Sequence, residues 1–273
     1  ALACAQRVFD LIDETPIVPD GPDAVALPHG AGSVEFDHVR FRYLDDVPLI
    51  EDMNLKVAPG QRIALVGPTG CGKTTFLNSL VNIYDITDGE ILLDGQKVDT
   101  KHQSIAYIFQ GDSTMPWLTV EENVSFGLDI KKLPKKLRQE RVDKYLDIVG
   151  LTKYRKYYPK QLSASMLQRV SIARAFATEP LLMDEPYGQL DIELRFKLED
   201  ELVKLQEMTK TSVLFITHNI EEAVYLGNKI MVLSNKPTTV KETLVNNLPR
   251  PRDITSPDFI ALRNEVTDLI KWW

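Results

Sequence analysis

The period of hydrophobic and polar residues changes several times along this chain, and each change marks a predicted element. Residues 34–43 (VEFDHVRFRY) alternate apolar and polar side chains, which is typical of a half-buried strand. Residues 55–67 (LKVAPGQRIALVG) predict a strand, a Pro-Gly turn and a buried strand. The main folded region therefore begins with β-structure.

Helical periodicity dominates the middle of the chain, from about residue 112 to 180, and strands return after it. The later strands are predicted at LLMDE, SVLFITH and KIMVLS, and the helices between them at IELRFKLEDELVKLQEM and NIEEAVYLG. Strands that alternate with helices predict an α/β core with a parallel sheet, here interrupted by a helical insertion.

The N-terminal end has a different pattern. Residues 1–13 (ALACAQRVFDLID) carry apolar side chains at helical spacing, and we expect the tail of a helix that continues from a removed segment. Residues 16–33 are rich in proline and glycine, which predicts a linker. The predicted divisions are a helix and linker at 1–32, a main domain at 33–250 with a helical subdomain at about 112–175, and a C-terminal helical tail at 251–273.

Composition and charge exclude several classes of protein. The chain has 273 residues, 44% of them hydrophobic and 26% charged, which suits a folded, soluble globule. Its net charge of -7 argues against a general nucleic-acid binder, so no nucleic-acid partner is expected. The dense basic run at residues 131–141 (KKLPKKLRQER) is interpreted as a solvated loop and helix start.

Cysteine usage and the absence of long apolar runs favour a cytosolic chain. Cys4 and Cys71 are far apart and have neither disulfide-framework nor zinc-ligand spacing, so a reducing compartment fits. No apolar stretch is long enough to span a bilayer, and the start lacks a signal-peptide pattern. We expect that the chain does not span a membrane by itself.

The strongest chemical signal is GPTGCGKT at residues 67–74, which fits the phosphate-binding pattern G-x-x-x-x-G-K-[ST] between the strand RIALV and the helix TTFLNSLVNIY. Its glycines allow the backbone to curl so that N–H groups face phosphate oxygens at the positive end of the helix. We expect Lys73 to reach the β- and γ-phosphates and Thr74 to hold Mg²⁺. The thiol of Cys71 is interpreted as a packing or alkylation site.

A nucleotide site of this kind needs further carboxylates, and LLMDEP at residues 181–186 supplies two at the end of a predicted strand. Asp184 is predicted to hold Mg²⁺ through water, and Glu185 to polarise the attacking water. An acidic pair at a strand end is often only the N-terminal charge of the next helix. The glycine-rich loop upstream favours the catalytic interpretation.

Six segments resemble, in order and spacing, the motifs of the nucleotide-binding subunits of ABC transporters. They are GPTGCGKT, YIFQG, QLSASMLQR, LLMDEP, GQLD and ITHN, and the resemblance covers nearly the whole chain. It implies an α/β fold, with a P-loop NTPase (RecA-like) core, an antiparallel β subdomain and a helical subdomain insertion. It also implies an ABC-type ATPase that couples ATP-driven dimerisation to transport.

The resemblance assigns further roles. It implies that Tyr43 stacks on adenine and that Gln110 senses the metal and the transmembrane partner. It also implies that Asp191 communicates across a dimer and that His218 contacts the γ-phosphate. The predicted catalytic residues are then Lys73, Gln110, Glu185 and His218, and the metal ligands are Thr74, Gln110 and Asp184. The predicted nucleotide contacts are Tyr43, Gly67, Pro68, Thr69, Gly70, Cys71, Gly72, Lys73, Thr74, Thr75, Ser163, Ala164, Ser165 and Asp191.

The implied cofactors are ATP and Mg²⁺, and two partners are implied. ATP would be sandwiched between two such domains, in a homodimer or heterodimer, with the loop of one facing the LSASM segment of the other. The second partner is a transmembrane permease subunit, which would hold the chain at the cytoplasmic face of the plasma membrane.

The resemblance is not uniform along the chain. Residues 1 to about 97 look like an ABC exporter half, in which the ATPase follows transmembrane helices. Residues from about 105 to 273 look like the separate ATPase subunit of nitrate, sulfonate or taurine importers. We interpret this as a hybrid, natural or engineered, with its seam near residues 97–104.

The segment LSASM (162–166) departs from the family pattern LSGGM or LSGGQ. The family glycines bring backbone N–H groups against the γ-phosphate at a helix start, and here they are Ala164 and Ser165. With positive φ at these positions the substitution would cost about 1 to 3 kcal/mol, whereas with negative φ the N–H donors survive. Ser163 remains.

A second departure lies in ATEPLLMDEP, which has about two residues fewer before the strand than the family usually has. Either the preceding helix unwinds to supply them, or Asp184 and Glu185 lie out of register with Thr74. We favour the first.

The sequence leaves two other functions open. One is a nucleotide-binding module with weak or no ATPase activity, as in a degenerate or engineered domain. The other is a soluble ABC protein of repair or translation, which the importer-like PWLTVEENV and the absence of coiled-coil insertions disfavour.

Overall fold

The computed structural model describes residues 32–44, 46–99, 105–110, 113–178, 182–188 and 190–271. The predicted N-terminal helix and linker lie outside these residues except for Gly32, as do most of the predicted hybrid seam and the final two tryptophans.

The described chain contains a ten-stranded mixed sheet flanked by helices. The strands are β1 (Val34–Leu44), β2 (Val47–Val57), β3 (Arg62–Val66), β4 (Asp88–Leu93), β5 (Gln96–Lys97), β6 (Tyr107–Ile108), β7 (Leu182–Asp184), β8 (Val213–Ile216), β9 (Lys229–Leu233) and β10 (Thr238–Val245). The helices are α1 (Lys73–Leu80), α2 (Val120–Ile130), α3 (Lys135–Ile148), α4 (Ala164–Ala177), α5 (Ile192–Thr209), α6 (Ile220–Leu226) and α7 (Pro257–Ile270).

The sheet has a parallel part and an antiparallel part. Strands β9, β3, β8, β7 and β6 lie side by side and pair in parallel. Strands β1, β2, β4 and β5 pair antiparallel, and β10 joins the two parts by pairing antiparallel with β9 and parallel with β2. The predicted α/β class, with an antiparallel β region and a helical insertion, is confirmed.

Two hydrophobic clusters fill the core. One packs the helical insertion and α4 to α7 against the parallel strands, with Phe176 and Leu198 among its fully buried members. The other lies under the antiparallel strands and holds α1, where the rings of Phe36 and Phe76 stack with centroids 4.0 Å apart. Helix α1, which follows the glycine-rich loop, is therefore anchored to both parts of the sheet.

One predicted helix boundary was wrong, and four strands were not predicted. The helix expected to run through TTFLNSLVNIY ends at Leu80, because Asn82 adopts the left-handed φ of 54° that stops a helix. Strands β4, β5, β6 and β10 were not predicted, since most of them are short or partly exposed and lack a clear alternation.

The basic run at 131–141 forms a loop and then the start of α3, as predicted, but it is not wholly solvated. Lys131 Nζ donates to the carbonyl of Thr178 at 2.8 Å, and Arg141 Nη1 to that of Ala177 at 3.0 Å. These cations therefore cap the C-terminal end of α4, where helix carbonyls are otherwise unpaired.

The C-terminal tail docks on the domain. Phe259 and Val266 of α7 are fully buried, and Arg263 lies 3.9 Å from Glu221 of α6. Within the described ranges, no helix combines the length and apolar character that a membrane span requires.

Candidate functional site

The glycine-rich loop turns tightly between β3 and α1. Gly70 and Gly72 have φ of 81° and 88°, which side-chain-bearing residues rarely adopt, and a Cβ on Gly72 would lie 3.1 Å from Leu49 Cγ. Lys73 is only 6% exposed, and its ammonium donates to the carbonyls of Gly67 and Pro68, both at 2.8 Å. The loop therefore already encloses a positive charge.

The back of this loop rests on the sheet. The carbonyl of Cys71 accepts a hydrogen bond of 2.5 Å from the hydroxyl of Thr238 at the start of β10. The Cys71 side chain is buried in the core cluster under the antiparallel strands. This burial fits the packing interpretation of the thiol rather than alkylation.

Asp184 ends the short strand β7 beside the start of α1. Helix α4 ends at Ala177, and Asp184 pairs in register with Ile216 of β8. The short strand therefore still brings the Asp184 carboxyl group close to Thr74. Burial raises the pKa of Asp184, although the Thr74 hydroxyl and the positive charge of Lys73 act in the opposite direction.

Both carboxylate oxygens of Asp184 are buried and have no hydrogen-bond partner within the described residues. Buried polar atoms almost always have a hydrogen-bond partner, so these two oxygens indicate a ligand-binding position. A carboxylate beside a threonine hydroxyl offers the hard oxygen donors that Mg²⁺ takes. The donor set at this strand end therefore fits a bound magnesium ion.

Two of the predicted catalytic residues, Gln110 and His218, contact the same carboxylate oxygen of a third, Glu185. Gln110 Nε2 donates to Glu185 Oε2 at 2.9 Å, and His218 Nε2 contacts the same oxygen. Glu185 has a left-handed φ of 48°, and its N–H donates to the carbonyl of Ile216 at 3.0 Å. A non-glycine residue in this region is uncommon, and such conformations cluster at functional sites.

His218 is presented by a local turn before α6. The side chain of Asn219 caps this helix by accepting from the N–H groups of Glu221 at 3.0 Å and Glu222 at 3.3 Å. The imidazole is 59% exposed, whereas the Glu185 side chain is 14% exposed. The histidine therefore lies at the mouth of the site and the carboxylate inside it.

Tyr43 lies at the edge of the site next to α1. Its hydroxyl is 2.8 Å from Thr75 Oγ1, and its ring contacts Phe41 and Tyr84 edge to face. The residue is 59% exposed, so its ring can offer a face to a planar ligand.

The LSASM segment forms the N-terminus of α4. Ser163 is the N-cap, with its hydroxyl accepting from Met166 N at 3.3 Å, and Ala164 and Ser165 are the first helical residues. Neither Ala164 nor Ser165 has a positive φ, so the alternative of backbone strain in this segment does not apply. The first-turn N–H groups remain available to an anion.

The structure does not bring every predicted residue to the loop. In the described chain no hydrogen bond joins residues 163–165 to residues 67–75. Asp191 caps α5 by accepting from Leu194 N at 2.9 Å and pairs with Arg169 of α4 at 3.0 Å. Asp191 therefore ties two helices together within this chain.

Other residues near the site were missed at the level of sequence. Gln168 is buried on α4 and donates to the carbonyl of Pro186 at 3.0 Å, which links the LSASM helix to the loop after Glu185. Thr217 and Glu222 surround the His218 turn and are also buried. The signal for Glu222 is an acidic residue beside the apolar positions of NIEEAVYLG.

Sequence comparisons relate this chain to known proteins. The family model described as "ABC transporter" matches residues 50–188. An uncharacterized ABC transporter ATP-binding protein from Methanocaldococcus jannaschii is 40% identical over 239 residues, which are 87% of each chain. The aliphatic sulfonates import ATP-binding protein SsuB from Bacillus cereus is 39% identical over 222 residues, 81% of this chain and 87% of that protein.

Solved structures give the same result. The dimeric structure of the bacterial ABC transporter cassette MJ0796 is similar with a TM-score of 0.71 and 29% identity, covering 78% of this chain and 99% of the cassette. A post-hydrolysis dimer of the same cassette, bound to ADP and Pi, has a TM-score of 0.69 and 28% identity, with the same coverage.

Proposed function

Because the chain belongs to the ABC transporter family as an ATP-binding and ATP-hydrolysing subunit, we propose that hydrolysis takes place between the glycine-rich loop and Glu185. The observation that carries this assignment is the convergence of Gln110 and His218 on one carboxylate oxygen of Glu185. Within the predicted main domain of residues 33–250, the loop binds the nucleotide and the Glu185 cluster acts on its terminal phosphate.

The loop residues bind the phosphates. Backbone N–H groups between Gly67 and Thr75 face the anion at the start of α1, where the helix dipole favours negative charge. When the nucleotide binds, the Lys73 ammonium stops donating to the carbonyls of Gly67 and Pro68 and donates to phosphate oxygens instead. Tyr43 stacks on the adenine ring.

Thr74, Asp184 and Gln110 would hold Mg²⁺, and the orphaned oxygens of Asp184 support this. When bound, the ion supplies positive charge that neutralises the phosphate oxygens. This role also accounts for a buried carboxylate that has no hydrogen-bond partner in the described part of the chain.

Glu185 is the general base. It accepts a proton from water while the water oxygen bonds to the γ-phosphorus and the bond from phosphorus to the ADP oxygen breaks. Gln110 and His218 hold the reactive carboxylate oxygen in place, and His218 contacts the γ-phosphate. The products are ADP and inorganic phosphate.

A second nucleotide-binding domain completes the site. Ser163, Ala164 and Ser165 present first-turn N–H groups to the γ-phosphate held by the partner, and Asp191 lies near the same boundary. The similarity to a dimeric ABC cassette supports this arrangement. ATP binding then closes the dimer, and hydrolysis reopens it.

A permease is the second partner, and it holds the chain at the inner face of the plasma membrane. An aromatic surface made of Trp117, Tyr154, Tyr157 and Tyr158 lies at the start of α2, where Val120 N donates to the carbonyl of Tyr157 at 2.9 Å. Trp117 is 72% exposed, which is unusual for so large an apolar side chain. The similarity to a sulfonate import protein supports an importer as this partner.

Glu185→Gln tests the assignment. Mg-ATP binding and steady-state hydrolysis are measured on the purified chain, with the exposed Glu193→Gln as control. We expect the Glu185 variant to bind ATP, to form a dimer in light scattering, and to lose about 100-fold or more in turnover. Hydrolysis at the rate of the unmodified chain would contradict the role of Glu185.

A further inference from the structure

The turn that carries His218 is fixed by a buried hydroxyl. Thr217 Oγ1 accepts a hydrogen bond from Asn219 N at 2.9 Å and donates one to Glu222 Oε2 at 3.1 Å. Thr217 is 3% exposed and Glu222 is 6% exposed. His218 therefore lies between Thr217 and Asn219, which are joined by a hydrogen bond. The same Thr217 hydroxyl is held by Glu222.

Glu222 has few partners for a buried carboxyl group. Its Oε2 accepts the one hydrogen bond from Thr217, and its Oε1 has no hydrogen-bond partner among the described residues. The nearby hydroxyl of Tyr187, in the loop after Glu185, is likewise buried and unpaired there. A charged carboxylate is very costly to bury without a cation or several donors, whereas a protonated carboxyl group is much less so.

Arg195 is a cation that acts on Glu222, but it pairs with a different carboxyl group. Arg195 of α5 lies 3.7 Å from Glu199, so its charge is directed to that carboxyl group. Burial and, less strongly, the charge of Glu199 raise the pKa of Glu222 to about 8, whereas the hydrogen bond from Thr217 and the charge of Arg195 lower it. Other ionisable groups surround Glu199 and Glu222. They are Glu185 and Tyr187 from the loop after β7, Arg195 and Asp200 from α5, and Glu221 and Tyr225 from α6.

We propose that Glu222 is a positioning residue for His218 and that it holds the His218 turn in its protonated, uncharged form. The proposal rests on the function proposed for His218 at the γ-phosphate. Ionisation of Glu222 puts an unpaired charge behind the turn, and the burial of Thr217 and Glu222 can then no longer be maintained. His218 loses its place against Glu185, and turnover falls.

Two substitutions of Glu222 distinguish the effect of its hydrogen bond from the effect of its charge. Glu222→Gln keeps the acceptor for Thr217 and mimics the uncharged acid, and Glu222→Ala removes the acceptor. At pH 7 we expect the glutamine variant to stay within about twofold of the unmodified chain in kcat, and the alanine variant to lose about tenfold with little change in KM for ATP. The half-buried neighbour Glu221→Gln is the matched control.

The pH profile tests the charge state. The kcat of the unmodified chain should fall as pH rises through about 8, and Glu222→Gln should remove that alkaline loss. An alkaline loss that persists in Glu222→Gln overturns the uncharged form. An alanine variant with normal kcat overturns the positioning role.

A spectroscopic readout keeps this test independent of hydrolysis. The chain has four histidines, so the ring resonance of His218 can be identified by NMR through its loss in His218→Gln. It should shift in Glu222→Ala and in Thr217→Val, and stay in place in Glu222→Gln and Thr217→Ser. An unmoved resonance in the first pair, with both variants folded by thermal melting, refutes the proposal even if ATP is hydrolysed normally. Failure of the Glu185→Gln test would instead refute the proposed function alone.

Discussion

Two consecutive carboxylates at the end of β7 have opposite surroundings. Asp184 is buried, and neither of its oxygens has a hydrogen-bond partner among the described residues, whereas Glu185 meets an amide and an imidazole at one of its oxygens. The left-handed conformation of Glu185 takes the chain out of the strand at this point. These different surroundings support the roles proposed for the two residues, Asp184 as a metal ligand and Glu185 as a base.

The LSASM segment leads to a prediction at the residue scale. Because Ala164 and Ser165 are helical with negative φ, glycine at these positions supplies no N–H group that is now missing. We expect Ala164→Gly combined with Ser165→Gly to lower the free energy of unfolding by about 1 kcal/mol, since glycine weakens a helix. Turnover should change by less than about threefold.

Urea unfolding and steady-state hydrolysis of this double variant check the prediction. A large gain in turnover would mean that the Ala164 and Ser165 side chains obstruct the γ-phosphate. Ser163→Ala is a useful comparison, because it removes the N-cap instead and should cost about 1 kcal/mol.

At the scale of elements, helices α5 and α6 enclose buried acids, which makes stability depend on pH. Burial raises the pKa of Glu199 from 4.5 to about 7 in the folded chain. Glu199 thus retains its proton in the folded state while the unfolded chain releases it, so stability falls as pH rises from about 4.5 to about 7 and then levels off.

Glu199→Gln should remove this dependence. We expect the variant to gain stability relative to the unmodified chain as the pH rises. The difference between their free energies of unfolding should be about 2 kcal/mol larger at pH 7.5 than at pH 5. Urea titrations at the two pH values measure the difference, with the exposed Glu193→Gln on the same helix as control. An equal difference at both pH values would contradict the buried, protonated state.

Arg252 of the C-terminal segment stabilises α6. Arg252 is 7% exposed and donates to the carbonyls of Val224, Tyr225 and Gly227 at 2.8 to 2.9 Å. It therefore caps the C-terminal end of the helix whose N-terminal end presents His218.

Arg252→Met should lower the free energy of unfolding by about 3 kcal/mol, because it removes a donor to three carbonyls at the end of α6, of which only that of Val224 is shown to keep a second donor, Asn246 Nδ2. Arg263→Met, which removes a half-exposed ion pair with Glu221 on the neighbouring helix, should cost about 0.5 kcal/mol or less. Chemical denaturation of both variants gives the comparison. Similar losses in the two would argue against the capping role of Arg252.

At the scale of the whole molecule, the aromatic surface at the start of α2 is the part proposed to face the permease. Trp117→Ser should weaken the affinity for the cognate permease in nanodiscs by about 2 kcal/mol or more, because large aromatic side chains dominate such interfaces. ATP binding by the isolated chain should not change.

Met208→Ser is the control for this prediction, since Met208 is 80% exposed on α5 and lies outside the aromatic surface. Equal weakening by both substitutions would indicate a general effect of surface hydrophobicity. No weakening by Trp117→Ser would move the permease contact to another surface.

Much of the site could be predicted because its motifs are local. The family, predicted from six short segments, and the α/β class, predicted from the alternation of strands and helices, are confirmed. The residue-by-residue assignments stay predictions, as does the hybrid origin of the chain. The edge and joining strands β4, β5, β6 and β10 were missed, because partners distant in sequence determine them and their own residues carry little periodicity.

The sequence by itself determined the features that depend on a few neighbouring residues. These are the curled loop before Lys73 and the helix starts at Ser163, Asp191 and Asn219, each capped by its own side chain. Only the tertiary structure decided which of these ends meet. Gln110, Glu185 and His218 are far apart in the chain and converge because parallel strands end at one edge, and Glu199 and Glu222 resist ionisation because packing removes water around them.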